Sequence, residues 1–456
     1  MGFRMNRRVK QKKSKQVDML SGSLADKIIL FALPLAASSI LQQLFNSADV
    51  AVAGRFAGSE ALAAVGGNSP VINLIVNLFV GFSIGANVVI ASAIGQGNKK
   101  KANRAVHTVI SLAIICGIAL IFIGNAVAAP ILSMMDTPDN VLPLAVEYLR
   151  IYFCGMPFFM VYNFGSAVLR SIGDTKKPLY CLLVSGVINV ALNLFLVIVC
   201  DLGVAGVAIA TVTANAISAS MIIFFLIHAD ETIRLDIKKL SLNKDEVINI
   251  VKIGAPAGLQ GMVFSLSNVC IQAGINSFGT AGIAGSAAAV NYEFFTYFVT
   301  SAFTQACITF TSQNYGAKQY DRCKKILRVS LVLAMVCTAC MSIVFVLGKE
   351  FFIGIYTTDK DAMVYGVARL IRVGLLTALP PLYEVTGGAL RGIGHSMTPA
   401  VLTVFGSCVL RIVWINTIFK MFSSFEILMA VYPFTWVVTS LLVIGTYFII
   451  RKKEYV

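Results

Sequence analysis

The 456-residue chain is 57% apolar and only 13% charged, with a mean hydropathy of +0.81, more apolar surface than a water-soluble domain can bury. Its net charge of +15 would suit a nucleic-acid partner, but the lysines and arginines lie mainly in links between apolar stretches of about 20 residues, the length that crosses a bilayer. That distribution excludes nucleic acid and leaves a multi-pass membrane protein. Ten cysteines fall mostly inside the apolar stretches, so they form no disulfide framework, and the Cys337/Cys340 pair reads as packing.

In chain order, residues 1–16 are basic without an apolar core, which reads as a solvated cytoplasmic end rather than a cleavable signal. Twelve spans follow, near 28–53, 61–93, 105–129, 141–168, 178–200, 204–227, 249–275, 282–311, 326–347, 362–389, 399–420 and 426–450. Lipid offers the backbone no water, so each is expected to be a helix. The basic links around Lys99, Lys176, Arg234 to Lys252, Lys318 to Arg328 and Arg451 fall on the side of the N-terminus. The opposite links hold Arg55, Asp136, Asp139, Asp201, Lys349, Glu350, Lys360 and Lys420, with far fewer positive charges. The positive-inside rule then makes both termini cytoplasmic.

The chain also repeats itself. Leu169-Arg170-Ser171-Ile172-Gly173, completed by Pro178, returns as Leu390-Arg391-Gly392-Ile393-Gly394, completed by Pro399, about 221 positions later. Arg marks the membrane exit, Gly supplies a turn, and Pro opens the next helix, where its missing N–H costs nothing. Pro34 answers to Pro256, Gly97 to Gly316, and Arg150-Ile151 to Arg372-Val373. The expected fold is therefore all-α and polytopic. Two six-helix lobes, 24–227 and 249–450, are related by a pseudo-twofold along the membrane normal. A cytoplasmic tail (1–23), a cytoplasmic linker (228–248) and a second tail (451–456) complete the plan.

Polar residues inside spans are the candidates for chemistry. A carboxylate there costs about 2.5–3.5 kcal/mol on insertion scales, so Asp49 asks for a reason: either a cation site with a protonatable carboxyl, or a place at the outer interface beside Arg55. Gln42, Asn46 and Asp49 share a stripe at i, i+4, i+7. Asn189 and Asn193, like Thr211 and Asn215, are spaced i, i+4, and each pair alone suits interhelical hydrogen bonding as well as ligation. In the second half, Arg411 lies 12 residues past Pro399, or about 18 Å along a helix. Glu293 is similarly deep, and a buried Glu293–Arg411 ion pair is expected. Glu384 follows Pro380-Pro381 and is expected at the cytoplasmic mouth. Tyr292, Phe294, Phe295, Tyr297 and Phe298 crowd around Glu293, with Met262 and Phe264 one span earlier. Most aromatics of this kind pack; the others can receive a lipophilic cation on their π-faces. Candidate substrate contacts are thus Gln42, Asn46, Asn73, Asn77, Met262, Tyr292, Glu293 and Phe295.

The run Ser47-Ala48-Asp49-Val50-Ala51-Val52-Ala53-Gly54-Arg55, the stretch to Gly66-Gly67, Gly95-Gln96-Gly97 and the two Leu-Arg-x-Ile-Gly boxes resemble the multidrug and toxic compound extrusion (MATE) transporters, from Leu24 to Ile450. The resemblance implies two lobes around a cleft and export of organic compounds by antiport with H+ or Na+. It implies no other cofactor and no enzymatic activity, in a monomer within the cell membrane. In the DNA-damage-inducible branch the cation site joins positions that match Asp49, Asn189, Asn193 and Thr211. That branch has Asp where this chain has Asn193, so only Asp49 can titrate, although carboxylate, amide and hydroxyl oxygens still suit Na+. The acid that the sodium-coupled branch carries on helix seven has no counterpart between Ile253 and Phe278, and the repeat offset puts Leu410, Arg411 and Trp414 where a second site would lie. The runner-up is a flippase of lipid-linked saccharides, which would want a cationic cleft; Arg369, Arg372 and Arg411 suit it. His107, His228 and His395 are dispersed, which argues against a membrane enzyme.

Overall fold

The computed structural model describes residues 17–135 and 137–455; the expectations for residues 1–16 and Asp136 fall outside them. The first half holds α1 (Ala25–Val52), α2 (Ser59–Gly67), α3 (Ser69–Gly95), α4 (Lys99–Met134), α5 (Leu142–Cys154), α6 (Met156–Ser171), α7 (Lys176–Leu194) and α8 (Gly203–Ile227). The second holds α9 (Lys244–Asn276), α10 (Gly279–Gly316), α11 (Tyr320–Leu347), α12 (Lys349–Gly354), α13 (Lys360–Arg372), α14 (Pro380–Gly392), α15 (Met397–Thr403), α16 (Leu410–Trp414), α17 (Lys420–Phe422) and α18 (Phe425–Glu454). No strand occurs among the described residues.

Nine helices are long and apolar enough to cross a membrane, and two bent pairs, α5 with α6 at 48° and α13 with α14 at 44°, bring the number to 11 among the described residues. Each bend has a proline at the start of its second helix, where an intrahelical bond is lost. The twelfth expected span is α10, 38 residues long but less apolar, because Thr300, Thr304, Thr309, Thr311, Ser312, Gln313 and Asn314 are polar and buried.

Both repeat boxes turn as expected, with Gly173 at φ +85° and Gly394 at φ +95°, a backbone region that favours glycine. The arginine beside the second turn does not leave the protein: Arg391 is buried, and its guanidinium donates to Gln260 Oε1 at 2.6 Å. Residues 17–22 are tied to the second half. Asn314 and Arg322 donate to the Met19 carbonyl, Arg322 adds Ser21 and Gly22 at 2.8 and 2.9 Å, and Lys27 closes the loop on Asp18 and Ser21.

One helix belongs to both halves. Ile28, Phe31 and Ala32 of α1 are buried in an apolar core built mainly from α10, α11, α14 and α18, with Phe31 edge-on to Phe310. Val52 at its other end belongs to the core of α3, α4, α6 and α8. Pro34 lies between these two stretches.

The halves press together at the end that carries the basic links. A Cβ on Gly81 would stand 2.2 Å from the backbone N of Gly258, and one on Gly254 would stand 2.6 Å from Phe82 Cα, so α3 and α9 touch backbone to backbone. Arg104 on α4 meets the buried Glu246 on α9 at 2.9 Å, and Gln313 donates to the Ser171 carbonyl at 2.6 Å. The seam extends to Asn77, whose amide donates to Ser265 Oγ at 3.0 Å. Beyond it, on the side away from the basic links, Asn73, Gln42 and Asn46 are exposed. Gly254→Leu is expected to prevent this closure. Spin labels at positions 100 and 318 would then move apart by several ångströms relative to the parent protein, and an unchanged distance would contradict the seam as the closing contact.

Candidate cation site and a second polar cluster

Asp49 sits one turn before the end of α1, where the chain passes into a π-helical turn, Ala53–Ala57. Asn193 is the last residue but one of α7, just ahead of another, Phe195–Val199. Such turns shift the register of a helix by one residue and recur at functional sites. Here they lie beside the two side chains that meet. Asn193 donates to Asp49 Oδ1 at 2.5 Å, and Thr211 on α8 donates to Asp49 Oδ2 at 3.1 Å. Asn189 Oδ1 is 3.4 Å from the Asn193 amide nitrogen.

All four expected residues therefore come together. Asp49, Asn189 and Asn193 are buried, with Asp49 6% exposed and Asn193 fully enclosed. The amide oxygen of Asn193 has no hydrogen-bond partner, which leaves an oxygen for a cation within a set already holding a carboxylate, a second amide and a hydroxyl. Those are ligands for a hard cation. Arg55 is not paired with Asp49: it lies 6.0 Å from the Phe56 ring, and no ion pair among the described residues includes Asp49. Asn215 does not join the group, and Gln42 and Asn46, placed on the Asp49 stripe by spacing, are exposed while Asp49 is enclosed. Tyr148 and Tyr152 on α5, which packs on α8, stack on each other with ring centroids 6.2 Å apart. Nothing in their spacing marked them, since α5 comes to this site only through the packing of the lobe.

The second half holds no copy of this arrangement, and the expected Glu293–Arg411 pair is not formed. Glu293 on α10 is taken by Arg369 on α13 through a two-pronged contact, Nε to Oε1 at 2.7 Å and Nη2 to Oε2 at 2.9 Å. Arg369 also donates to Ser286 Oγ at 2.7 Å. The reason is placement: α13 packs on α10 through the buried stripe Ala362, Gly366, Arg369, Leu370, whereas Arg411, on α16, is held by Asn268 of α9. Both guanidiniums approach the Tyr432 ring, Arg369 at 5.3 Å and Arg411 at 4.8 Å. The i, i+4, i+7 spacing of Ala362, Gly366 and Arg369 was the signal that could have identified the true partner.

Two expected substrate contacts serve as packing. The Tyr292 hydroxyl donates to the Phe352 carbonyl at 2.6 Å, and its ring meets Phe345, Phe352 and Tyr356. Phe295 packs against the same cluster. Met262 is partly buried, Asn73 is exposed, and Asn77 lies in the seam. Glu384 makes no side-chain hydrogen bond among the described residues, and it is partly enclosed. No group of three or more His, Cys, Asp or Glu that could hold a metal occurs among the described residues.

Known proteins share this whole plan. The probable multidrug resistance protein YoeA of Bacillus subtilis (strain 168) is 27% identical over 463 residues, spanning 98% of this chain and 97% of that protein. The multidrug export protein MepA of Staphylococcus aureus (strain NCTC 8325 / PS 47) is 24% identical over 373 residues, 81% of this chain and 79% of that protein. A solved structure of a multidrug resistance MATE family transporter of the MOP superfamily, in an outward-facing conformation, matches with a TM-score of 0.90 at 21% identity, covering 97% and 99% of the two chains. The MatE family model matches twice, at residues 34–195 and 256–416, once in each half and across most of the chain, and the chain belongs to the MatE family.

Proposed function

We propose that this protein is a secondary active exporter that moves organic compounds, chiefly lipophilic cations, out of the cell in exchange for H+ or Na+ at Asp49. The observation that carries the reading is the enclosed Asp49 carboxylate, held by Asn193 and Thr211 in a chain whose relatives are named for multidrug resistance and export. Residues 24–227 and 249–450 act as the two lobes, 228–248 as a cytoplasmic linker, and both termini face the cytoplasm in the cell membrane. On that orientation the sealed seam is cytoplasmic and the cleft faces outward. An incoming cation reaches Asp49 from the cleft and its binding favours rocking inward, where a new drug molecule is taken up. In a one-for-one exchange of monovalent cations no net charge crosses, so the drive is the ion's own concentration gradient, about 1.4 kcal/mol for each tenfold. The membrane potential adds about 2.3 kcal/mol per 100 mV only for each net charge moved, as when the drug is neutral or two ions enter.

The flippase reading loses its support. Two of its three arginines have acidic partners, Arg369 with Glu293 at 2.7 Å and Arg372 with Glu426 at 3.8 Å.

Purified protein in liposomes should expel ethidium when a proton or a sodium gradient is imposed separately, and no movement under either would overturn the proposal. Asn193→Asp is expected to change the ion dependence of that efflux. Two carboxylates in contact hold one proton more tightly and bind a cation more strongly than one. Efflux by that variant should respond to sodium at least about tenfold more strongly than the parent; identical pH and sodium profiles would remove Asn193 from the site.

A further inference from the structure

Arg411 is the largest fully enclosed side chain of the described residues, at 1% exposure, and it has no acid. It lies in the fifteenth place of the 26-residue span Met397–Phe422, and a π-helical turn on each side, Val404–Val409 and Ile415–Phe419, flanks its short helix α16. Its guanidinium is held between two rings, Phe264 at 4.9 Å and Tyr432 at 4.8 Å. Its one hydrogen bond runs from Nη1 to Asn268 Oδ1 at 3.1 Å, and its Nε–H has no acceptor.

The neighbour across Tyr432 shows what a satisfied arginine looks like in the same cluster. Arg369 has two carboxylate oxygens and a serine hydroxyl, so its charge is cancelled locally. Arg411 has an amide oxygen and two π-faces, which weaken but do not cancel a charge. Among the described residues no carboxylate lies within 4 Å of it. A guanidinium buried at mid-span normally has an anion against it. Asn268, which already touches Nη1, is itself exposed, so a molecule in the cleft that reaches Asn268 is one hydrogen bond from the charge. The unpartnered Nε–H and the uncancelled charge are what an incoming anion would meet.

We propose that Arg411, with Asn268 at its entrance and Phe264 and Tyr432 beside it, is the element of this chain that binds the carboxylate of an aromatic substrate. The planar fork suits a carboxylate through two parallel N–H bonds, and the flanking rings suit a flat apolar body next to it. This rests on the exporter reading for its route into the cleft, but its test does not depend on transport.

The chain has two tryptophans, and both stand at this cluster. Trp414 is three residues beyond Arg411 on the same helix, and Trp436 lies 5.8 Å from Tyr432. Energy transfer from tryptophan to dansylglycine, an aromatic carboxylate, therefore reports binding in the purified protein without any gradient. Parent protein should show saturable transfer, and dansylglycinamide, the neutral analogue, should bind at least about tenfold more weakly, as expected for losing one charged hydrogen bond. Arg411→Gln should weaken dansylglycine by a similar factor and leave dansylglycinamide unchanged, while Arg411→Lys should keep much of the preference for the acid. Asn268→Asp serves should Arg411→Gln fail to fold. It puts a carboxylate where Nη1 already finds an oxygen, so it should fold at least as well as the parent and lose dansylglycine binding by about tenfold or more. Absence of saturable transfer in the parent, equal binding of acid and amide, or parent-like affinity in Asn268→Asp would each overturn the proposal. Ethidium efflux by the parent separates the two readings: protein that exports ethidium but does not bind dansylglycine loses only the anion site, and protein that binds it but exports nothing loses only the exporter reading.

Discussion

Asp49→Asn is expected to reduce gradient-driven efflux to the level of empty liposomes while leaving the protein folded. The two halves of that outcome come from different features. Function is lost because Asp49 is the one titratable group among the four clustered residues, and an amide carries neither a proton nor a charge across the transport cycle. Folding is kept because the site can absorb the change. An asparagine at 49 would still accept from Thr211 with its oxygen, at the 3.1 Å contact now made. Its new amide would need an acceptor, and the Asn193 amide oxygen now has none; rotation of that side chain exchanges its two ends at little cost. Removing a buried charge also relieves desolvation. The measurement is a paired one, ethidium efflux under each gradient and the elution profile of the same preparation. Parent-rate efflux by a well-folded Asp49→Asn protein would move the coupling site elsewhere.

The second large effect is on stability. Glu293→Gln and Arg369→Leu should each cost about 3–5 kcal/mol, the usual result of leaving one charge of a buried pair without its partner. The contact warrants the full figure rather than the small value of surface pairs, since the two side chains are only 16% and 4% exposed and join through two bonds. The double variant Glu293→Gln with Arg369→Leu should recover most of the loss, because neither charge is then stranded. The readouts are Tm and detergent-soluble yield over the four proteins. Strictly additive losses would mean that the two residues do not stabilise one another. Recovery in the double variant would make Glu293 a scaffold residue, paired with Arg369.

What the sequence made legible, and what it did not, divides along physical lines. Spans were legible because lipid imposes one length and one period on every helix, and the repeat boxes because glycine at positive φ and proline at a helix start are local demands. The Asp49 group was legible for a mixed reason. Spacing placed Asn189 and Asn193 on one face, but only the family resemblance joined them to Asp49 and Thr211, 144 and 162 residues being the separations in play. The partner of Glu293 was misread because depth in the membrane was used as a proxy for proximity. Arg411 is nearer mid-span by residue count than Arg369, yet the choice between them depends on which helix α10 packs against. The π-helical turns beside Asp49 and Asn193 leave no mark in apolar periodicity, since one extra residue in a fully apolar segment changes neither its length nor its composition enough to notice.

The shared first helix has a consequence for how the protein can come into being. Ile28, Phe31 and Ala32 leave the ribosome early, yet the surfaces that cover them, around Phe310, are made some 280 residues later. During synthesis the first six spans can assemble most of their own core, but the leading end of α1 must wait in lipid, and the segment at Met19 has nothing to dock against until Asn314 and Arg322 exist. The duplicated architecture therefore does not amount to two independent folding units. A nascent chain stopped at the linker would be an incomplete half, with its entry helix unseated, because helices of the second half, α10 above all, fasten the first.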